Sequence, residues 1–297
     1  MSLLERVVDG EISLHEIEEH LSGEDVADEA ADLRREAVEH RTDTDLNGLA
    51  DPSFDMGDVS DRNVENLVGR IEVPVGVVGP IEVDGEDAEG EYHVPVATTE
   101  GALVASVNRG CSAVCDAGGV DSVVVKDAMT RAPVFKTSGV RESRKLALWV
   151  EDNLDRLIEA SESTTDHGEL LWIDPYVAGD NVYLRMGFDT KDAMGMNMAT
   201  IAAKEACELI EEAKYPDCRL VALSGNLCSD KKPAAINAVE GRGKTVTADA
   251  TIPAPLVERK LKTSVEDFLE VHERKTMVGS TRAGILGANA HVANILS

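Results

Sequence analysis

The order of strand-like and helix-like segments between residues 120 and 223 restricts the fold of this sequence most. The stretch VDSVVVKDAMTRAPVFK predicts two strands with a kink between them. The patterns that follow predict a helix, two strands, a second helix and a short strand, over residues 140–161, 170–176, 181–190, 193–213 and 219–223. The block from about 133 to 222 therefore has the size of a compact α/β subdomain.

The sequence before this block begins with helical patterns and continues with strand patterns. Residues 3–22 and 24–41 predict two amphipathic helices, with Ser22-Gly-Glu-Asp25 as the capping signal of the second. From Asn63, β-branched residues alternate with Pro and Gly, which predicts short strands and turns. A helix of small residues is then expected from Thr99 to about Ala117.

After the block we expect a loop, a strand over 244–251 and helices as far as Ser297. The terminal stretch GSTRAGILGANAHVANILS is apolar and helical, with no cap, no Gly stop and no polar tail. This ending predicts that some of the sequence is missing.

The net charge of −27 excludes several kinds of partner. Acidic residues are spread along the chain, so the surface should repel nucleic acid and anionic membranes. The distribution favours a folded protein adapted to high salt over an acidic interaction tail. No apolar run approaches the roughly 20 residues that span a bilayer, and the acidic start lacks the features of a signal peptide, so we expect a cytoplasmic protein.

The five cysteines do not predict a metal site. They form no CxxC pair and no Cys/His cluster with zinc spacing. We interpret all five as ordinary buried thiols.

The first candidate site is the segment Ala97-Thr-Thr-Glu100-Gly101. Thr99 can cap the following helix, and a carboxylate is favourable in a first turn, so Glu100 is either a capping residue or a functional acid. Ser106 and Arg109 share one face of that helix. An Arg facing a Gly/Ala-rich surface needs an anionic partner, either an internal carboxylate or a ligand.

The second candidate site is Asp192-Ala-Met-Gly195-Met-Asn-Met198, at the start of a predicted helix. Free backbone N–H groups there can receive a pyrophosphate, and Gly195 would allow its close approach. Alternatively, Asp192 is an N-cap and the methionines fill the core.

The third candidate site is Ser224-Gly-Asn-Leu-Cys-Ser-Asp-Lys-Lys-Pro-Ala-Ala-Ile-Asn237. Pro233 suits the first position of a helix, which would put Lys231 and Lys232 at the positive end of its dipole. Cations are unfavourable there, and such a broken local rule is typical of a functional site. The alternative is a solvated loop in which Lys231 pairs with Asp230.

Two nucleotide-binding patterns are incomplete. Gly241-Arg-Gly-Lys244-Thr245 resembles the end of a P-loop, but Ala238 occupies the position of the first Gly of that motif. No GxGxxG follows a predicted strand, so a dinucleotide-binding fold of the usual kind is not indicated.

Six stretches, in order, resemble the 3-hydroxy-3-methylglutaryl-coenzyme A reductase family, of class I type. They are ENLVGRIEVPVGVVGPIEV, VPVATTEGALVASVNRGC, DAMTRAPV, DTKDAMGMNMAT, LSGNLCSDKKPAAINAVEGRGK and GANAHVAN. The acidic composition resembles that of a haloarchaeal member.

The resemblance implies an α+β fold with three parts. An N-terminal helical segment (1–62) precedes a large, mixed substrate-binding domain (63–132 and 223–297), into which a small ferredoxin-like α/β cofactor domain (133–222) is inserted. The implied reaction is the reduction of 3-hydroxy-3-methylglutaryl-coenzyme A to mevalonate and coenzyme A, with NADPH as the cofactor. The resemblance also implies a homodimer whose active sites lie between subunits.

The resemblance assigns roles to individual residues. Lys231 would stabilise the negative carbonyl oxygen, and Glu100 would supply or relay the proton. The positions that match substrate contacts are Ser106, Arg109, Arg131, Ser224, Asn226, Asp230, Lys232, Lys275, His291 and Asn294. The positions that match the NADP-binding loop are Asp192, Met194, Gly195, Met196, Asn197 and Met198.

Two features depart from the family pattern. Its catalytic Asp, and the His that protonates the coenzyme A thiolate, have no counterpart as far as Ser297, so we expect a C-terminally truncated chain with little or no turnover. Thr165-Asp166 occupies the place where some relatives have Ser-Arg near the adenosine 2′-phosphate, which keeps NADH open as the cofactor. The alternative functions are a non-enzymatic truncated or regulatory product, and another coenzyme A-dependent enzyme such as an acyltransferase.

Overall fold

The structure, a computed structural model, describes residues 1–288 except 15, 24, 51–56, 58 and 61–63. This part of the chain forms two compact units. The first contains residues 1–75 and 97–99, and the second contains residues 76–96 and the chain from Glu100 onward.

The first unit consists of short helices around an aliphatic core. These are α1 (Leu3–Val8), a 3₁₀ turn (Ile17–His20), α2 (Val26–Thr42) and a second 3₁₀ turn (Asn47–Leu49). The core residues include Val7, Ile12, Ile17, Ala30 and Ala37.

The prediction of one helix over 3–22 is wrong. Gly10 has φ +80°, and the N–H groups of Gly10 and Glu11 donate to the carbonyls of Val7 and Arg6. This Schellman arrangement ends α1. The second predicted helix is confirmed as α2, but its N-cap is Asp25 and not Ser22.

The described residues of the second unit contain eight strands, with helices between them. The strands are β1 (Val75–Gly85), β2 (Glu89–Ala97), β3 (Val120–Arg131), β4 (Val134–Thr137), β5 (Glu169–Ala178), β6 (Asn181–Asp189), β7 (Cys218–Ala222) and β8 (Gly243–Asp249). The helices are α3 (Leu103–Cys115), α4 (Val140–Asp152), α5 (Leu154–Glu162), α6 (Met196–Glu212), α7 (Ala235–Glu240), α8 (Ala254–Leu256), α9 (Val265–Val271) and α10 (Ser280–Ala283).

The long strand β3 takes part in both halves of the sheet. Its first part runs parallel to β1 and antiparallel to β8, and β2 lies beyond β1. Val78, Val96, Leu103 and Cys111 pack α3 against these strands. The last residues of β3 pair with β6, so β3 joins this sheet to the strands that follow.

Strands β4 to β7 form a βαββαβ unit with the strand order β7-β4-β6-β5, in which all neighbours are antiparallel. This is the ferredoxin-like arrangement. Alternate residues of β6, namely Val182, Leu184, Met186 and Phe188, are buried in a core shared with α4, α5 and α6. The predicted order of strands and helices is confirmed.

One helix of this block differs from its prediction. The sequence predicted a single helix over 140–161, but Asn153 separates α4 from α5. Its backbone leaves the helical region (φ −115°, ψ 20°), and its side-chain amide donates to the Trp149 carbonyl at 2.9 Å. A local side-chain bond of this kind competes with the helix and interrupts it.

The segment between β7 and β8 lies on the helix-free face of the ferredoxin-like sheet. The Gly225 N–H donates to the Ala132 carbonyl at 2.7 Å, and Thr130 Oγ1 donates to the Cys228 carbonyl at 2.9 Å. A Cβ added to Gly225 would lie 2.8 Å from Val134 Cβ and 2.9 Å from the Tyr183 ring. Only glycine permits this approach, so the third candidate site rests directly on the small sheet.

After β8 the chain is helical over residues 254–261 and 265–283. Five-residue and eight-residue π-helical segments, Val257–Leu261 and His272–Gly279, follow α8 and α9. Among the described residues no helix is both long and apolar enough to cross a membrane. The three-part domain division stays a prediction.

Candidate active site

The loop before α7 (residues 223–234, the Lys231 loop) has an irregular backbone that its own hydrogen bonds hold in place. Asn226, Ser229 and Asp230 have φ values of +64°, +58° and +45°. Each such residue costs on the order of 1 kcal/mol or more, and these residues cluster at functional sites. Ser229 is buried, and its Oγ lies 2.6 Å from Asn237 Oδ1 and 2.7 Å from the Cys228 carbonyl oxygen. The loop is therefore a defined scaffold for the residues on either side of it.

The two lysines of this loop are exposed, and the helix that follows them begins later than predicted. α7 begins at Ala235, with Ala234 as its N-cap, so Pro233 is not in the first turn and Lys231 and Lys232 lie outside the helix. The prediction that Pro233 is the first residue of the helix is therefore wrong. The alternative ion pair is not formed either, because Asp230 pairs with Arg242, with Oδ1 3.6 Å from Nη2.

Arg131, at the end of β3, lies beside the same loop. Both of its neighbours in sequence, Thr130 and Ala132, bond to the loop. The Nε atom of Arg131 is buried and has no hydrogen-bond partner among the described residues. A buried donor without a partner is costly and is typical of a functional site, and the half-buried Arg131 side chain offers a cation for an anionic group of a ligand.

Ser224 and Asn226 also belong to this loop. Ser224 Oγ lies 3.4 Å from Cys228 Sγ, which directs it toward the buried part of the loop, while Asn226 is exposed. Together with Arg131, Asp230, Lys231 and Lys232 they form one group on the helix-free face of the small sheet. Six of the predicted substrate and catalytic positions lie elsewhere or outside the described residues: Glu100, Ser106, Arg109, Lys275, His291 and Asn294.

The cofactor segment (Asp192–Met198) contains the left-handed residue Gly195, which is the N-cap of the 17-residue helix α6. Asp192 is therefore not the N-cap, and Gly195 lies just before the first turn instead of inside it, while the predicted pyrophosphate contact stays a prediction. Gly195 has φ +63°, and an added Cβ would lie 2.5 Å from Thr190 Cβ. The local backbone itself therefore requires glycine.

The start of α6 can bind an anion. No side chain caps it, and its first turn contains no acidic residue, although the chain is rich in them. Met196, Asn197 and Met198 form that turn, and Met194 before it is 55% exposed. The unpaired N–H groups of a first turn favour phosphate oxygens, so these residues fit a dinucleotide pyrophosphate.

A cavity of about 670 Å³ adjoins this segment and is lined by residues 162, 165–169 and 190–193. Its cationic side chain, Lys191, lies 2.6 Å from Asp189 and 3.1 Å from Glu169. The hydrogen bond to Asp189 raises the pKa of Lys191, and the same bond lowers the pKa of Asp189. Asp166 also lines the cavity, so the net charge of the side chains around the cavity is negative.

Helix α3 begins later than predicted. Its first residue is Leu103, and Ala102, at φ +66°, is its N-cap. Thr99 is therefore not the cap, and Glu100 lies before the helix instead of in its first turn. Ser106 and Arg109 are exposed on α3, and Glu100 is also exposed.

The remaining predicted substrate residues lie further along the chain. Lys275 is exposed in the π-helical segment His272–Gly279. His291 and Asn294 lie outside the described residues. The roles of all the predicted site residues stay predictions.

Sequence reasoning missed a group of side chains beneath the Lys231 loop. Lys126 Nζ and the Arg185 guanidinium lie on the Trp172 ring, at 4.8 and 5.4 Å from its centroid. Arg185 is fully buried. A charged residue inside the apolar strand β6 was a visible signal, because arginine is rarely buried without a specific partner. Arg242 was seen only as part of an incomplete P-loop.

The burial of the cysteines agrees only partly with expectation. Cys111, Cys207 and Cys228 are buried, but Cys115 and Cys218 are half-buried. No group of metal-binding side chains occurs among the described residues.

Comparison with known proteins is consistent with this geometry. The sequence profile of the hydroxymethylglutaryl-coenzyme A reductase family matches residues 30–297. The chain is 52% identical over 296 residues to 3-hydroxy-3-methylglutaryl-coenzyme A reductase of Haloferax volcanii, covering 100% of this chain and 72% of that protein. It is 54% identical to the enzyme of the same name from Halobacterium salinarum, covering 99% of this chain and 71% of that protein.

The fold also resembles solved structures of lower sequence identity. The class II 3-hydroxy-3-methylglutaryl-CoA reductase of Streptococcus pneumoniae, bound to NADPH, matches with a TM-score of 0.54 and 19% identity, covering 75% of this chain and 56% of that one. A second structure of the Streptococcus pneumoniae enzyme matches with a TM-score of 0.57 and 21% identity, covering 76% of this chain and 56% of that one.

Proposed function

The chain belongs to the hydroxymethylglutaryl-coenzyme A reductase family, and from this premise we propose that it serves the NADPH-dependent reduction of 3-hydroxy-3-methylglutaryl-coenzyme A. Two hydrides and two protons convert the thioester to the primary alcohol of mevalonate and release coenzyme A as its thiol. The observation that carries the proposal is the Lys231 loop beside Arg131. It joins an exposed ammonium group to a buried guanidinium N–H without a partner.

Lys231 supplies the positive charge that the reaction requires. Each hydride addition places negative charge on a carbonyl oxygen, and a positioned cation stabilises that oxygen more strongly in the transition state than in the ground state. The loop's internal hydrogen bonds fix the backbone from which Lys231 projects, so little reorganisation is needed. Glu100 provides or relays the proton that the oxygen takes up.

The substrate is held at two kinds of site. The Arg131 guanidinium, with Ser224, Asn226, Asp230 and Lys232 of the same group, suits the carboxylate and hydroxyl groups of the acyl chain. Ser106 and Arg109 on α3 suit the polar part of coenzyme A. Lys275, His291 and Asn294 complete the proposed substrate contacts.

The cofactor site is proposed at the start of α6. NADPH supplies the hydride when bound. Asp192, Met194, Gly195, Met196, Asn197 and Met198 would hold its pyrophosphate on free N–H groups and orient the dinucleotide. The acidic cavity beside Asp192 suits the two ribose hydroxyls of NADH better than the 2′-phosphate of NADPH. For this reason NADH is kept as a second cofactor candidate after NADPH.

The remaining features of the proposal concern the whole protein. We propose a homodimer with shared active sites, a cytoplasmic location and adaptation to high salt, the last supported by the net charge of −27. The chain spans 72% of the length of the Haloferax volcanii relative. The family's catalytic Asp and leaving-group His have no counterpart in these 297 residues, so the chain by itself should turn over little.

The test is NADPH oxidation with 3-hydroxy-3-methylglutaryl-coenzyme A in molar KCl, together with calorimetric binding of each ligand. Lys231→Ala should reduce any turnover about a hundredfold or more. The matched control is Lys204→Ala, which removes an exposed lysine that lies 3.3 Å from Glu208 on α6. Binding without turnover would identify a catalytically incomplete chain, and absence of binding by both ligands would refute the proposal. Binding of the thioester without any effect of NADPH would favour an acyltransferase.

A further inference from the structure

Arg242 connects the two proposed ligand sites. It lies between α7 and β8, and its Nη2 is 3.3 Å from the sulfur of Met196, the first residue of α6. The same nitrogen lies 3.6 Å from Asp230 Oδ1, in the loop that carries Lys231. One guanidinium group therefore contacts both the start of the dinucleotide helix and the catalytic loop.

The contact is made in a shielded environment. The Arg242 side chain is only 16% exposed, and its Nε is buried without a hydrogen-bond partner among the described residues. Burying a guanidinium group with an unsatisfied donor is costly. Both contacts are made by one nitrogen, Nη2, so the Arg242 side chain is the point at which the start of α6 and the loop meet.

The backbone next to Arg242 is held by one cation of β6 and one of β3. Arg185 Nη2 donates to the Gly241 carbonyl at 2.6 Å, and Lys126 Nζ donates to the Glu240 carbonyl at 2.8 Å. These are the last carbonyls of α7, where cations are favourable. Both cations lie on Trp172, which packs against Gly187 on the helix-free face of the sheet. Arg242 therefore starts from a fixed position.

We propose that Arg242 is a positioning residue that couples dinucleotide binding to the arrangement of the Lys231 loop. A dinucleotide bound at the start of α6 orders Met196, and through Arg242 it favours the position of Asp230 that leaves Lys231 free for the thioester. Binding of one ligand should then strengthen binding of the other, by the same factor in both directions. This inference rests on the proposed function, because it assumes that both ligands bind where proposed.

The test is a pair of calorimetric titrations in molar KCl, with 3-hydroxy-3-methylglutaryl-coenzyme A added in the absence and in the presence of saturating NADP⁺. The oxidised cofactor prevents turnover. In the natural sequence the Kd should fall about fivefold or more when NADP⁺ is present, within the range typical of coupled sites. In Arg242→Met the ratio of the two Kd values should lie within about twofold of one. Weaker folding alone would raise both values and leave their ratio unchanged.

Two further variants keep the test decisive. Arg242→Gln keeps a polar side chain but is too short to bring a nitrogen to both Met196 and Asp230, so it should also lose the coupling, and it decides the matter if Arg242→Met does not fold. Arg144→Met removes an exposed arginine of α4 with the same change in net charge and should keep the natural ratio. Natural coupling in either Arg242 variant, or no coupling in the natural sequence, would overturn the inference while binding itself upholds the proposed function. Loss of binding of both ligands by the natural sequence would remove the proposed function and the inference together.

Discussion

Replacing Gly195 with alanine tests how the cofactor segment is built. Gly195 has φ +63°, and an alanine Cβ would lie 2.5 Å from both Cβ and Cγ2 of Thr190. The change therefore combines an unfavourable backbone conformation with a steric clash. Gly179, in the turn between β5 and β6, offers a matched control, because it has φ +66° and nothing within 4 Å of the added Cβ.

The two substitutions should differ by the energy of the clash. A non-glycine residue in the left-handed region costs roughly 1–2 kcal/mol, and forcing an extra methyl group into a packed site costs roughly 1–3 kcal/mol more. Gly179→Ala should therefore lower the free energy of unfolding by about 1–2 kcal/mol. Gly195→Ala should lower it by about 2–5 kcal/mol.

Urea unfolding in molar KCl, followed by tryptophan fluorescence, measures both values. Trp149 and Trp172, the two tryptophans of the chain, lie in the second unit, so the signal reports on the unit that contains both glycines. Thermal stabilisation by NADPH should also decrease in Gly195→Ala and persist in Gly179→Ala. Equal losses of stability in the two variants would refute the steric argument.

Two other predictions concern charge and protonation. Asp166→Arg, in the cavity beside Asp192, should raise the affinity for NADPH relative to NADH by about tenfold because it supplies a cation for the 2′-phosphate. Calorimetry measures the two affinities, and Glu151→Arg on α4 is the control. An unchanged ratio of the two affinities would exclude Asp166 from cofactor selection. Burial raises the pKa of Cys218 from 9.0 to about 11. The unfolded thiol loses its proton first, so the free energy of unfolding should fall as the pH rises from 9 to 11. Cys218→Ala should reduce this slope in urea titrations at a series of pH values, and an equal slope would contradict the prediction.

The types of the elements could be predicted from sequence, but their starting points could not. Strand and helix periodicity identified β4 to β7 and the helices between them, because burial on one face imposes a regular pattern. The starts of α3 and α6 were placed too early because left-handed residues, Ala102 and Gly195, precede them. A polar residue in front of a helix caps it only when that residue directly precedes the first turn and its own backbone is extended. Sequence does not reveal that conformation.

The candidate site was identified from sequence through its unusual residues and the family resemblance, yet its supporting contacts were not. Asp230 pairs with Arg242, and the backbone next to Arg242 accepts hydrogen bonds from Arg185 and Lys126. Lys126 and Glu240 are 114 positions apart in the chain. Contacts of such separation leave no local periodicity, because each partner follows the pattern of its own strand or turn.

The glycines of the incomplete P-loop can be explained by the backbone conformation of the turn that contains them. Gly241 and Gly243 are present because their φ values are +73° and +66°, where the chain turns from α7 into β8. That turn exposes the Gly241 carbonyl to Arg185 and directs Arg242 toward Asp230 and Met196. An added Cβ would lie 2.6 Å from Thr245 Oγ1 at Gly241 and would meet nothing within 4 Å at Gly243, so the positive φ values and the Thr245 contact account for both glycines. The same backbone freedom therefore serves the positioning of the Lys231 loop, and a nucleotide need not contact it.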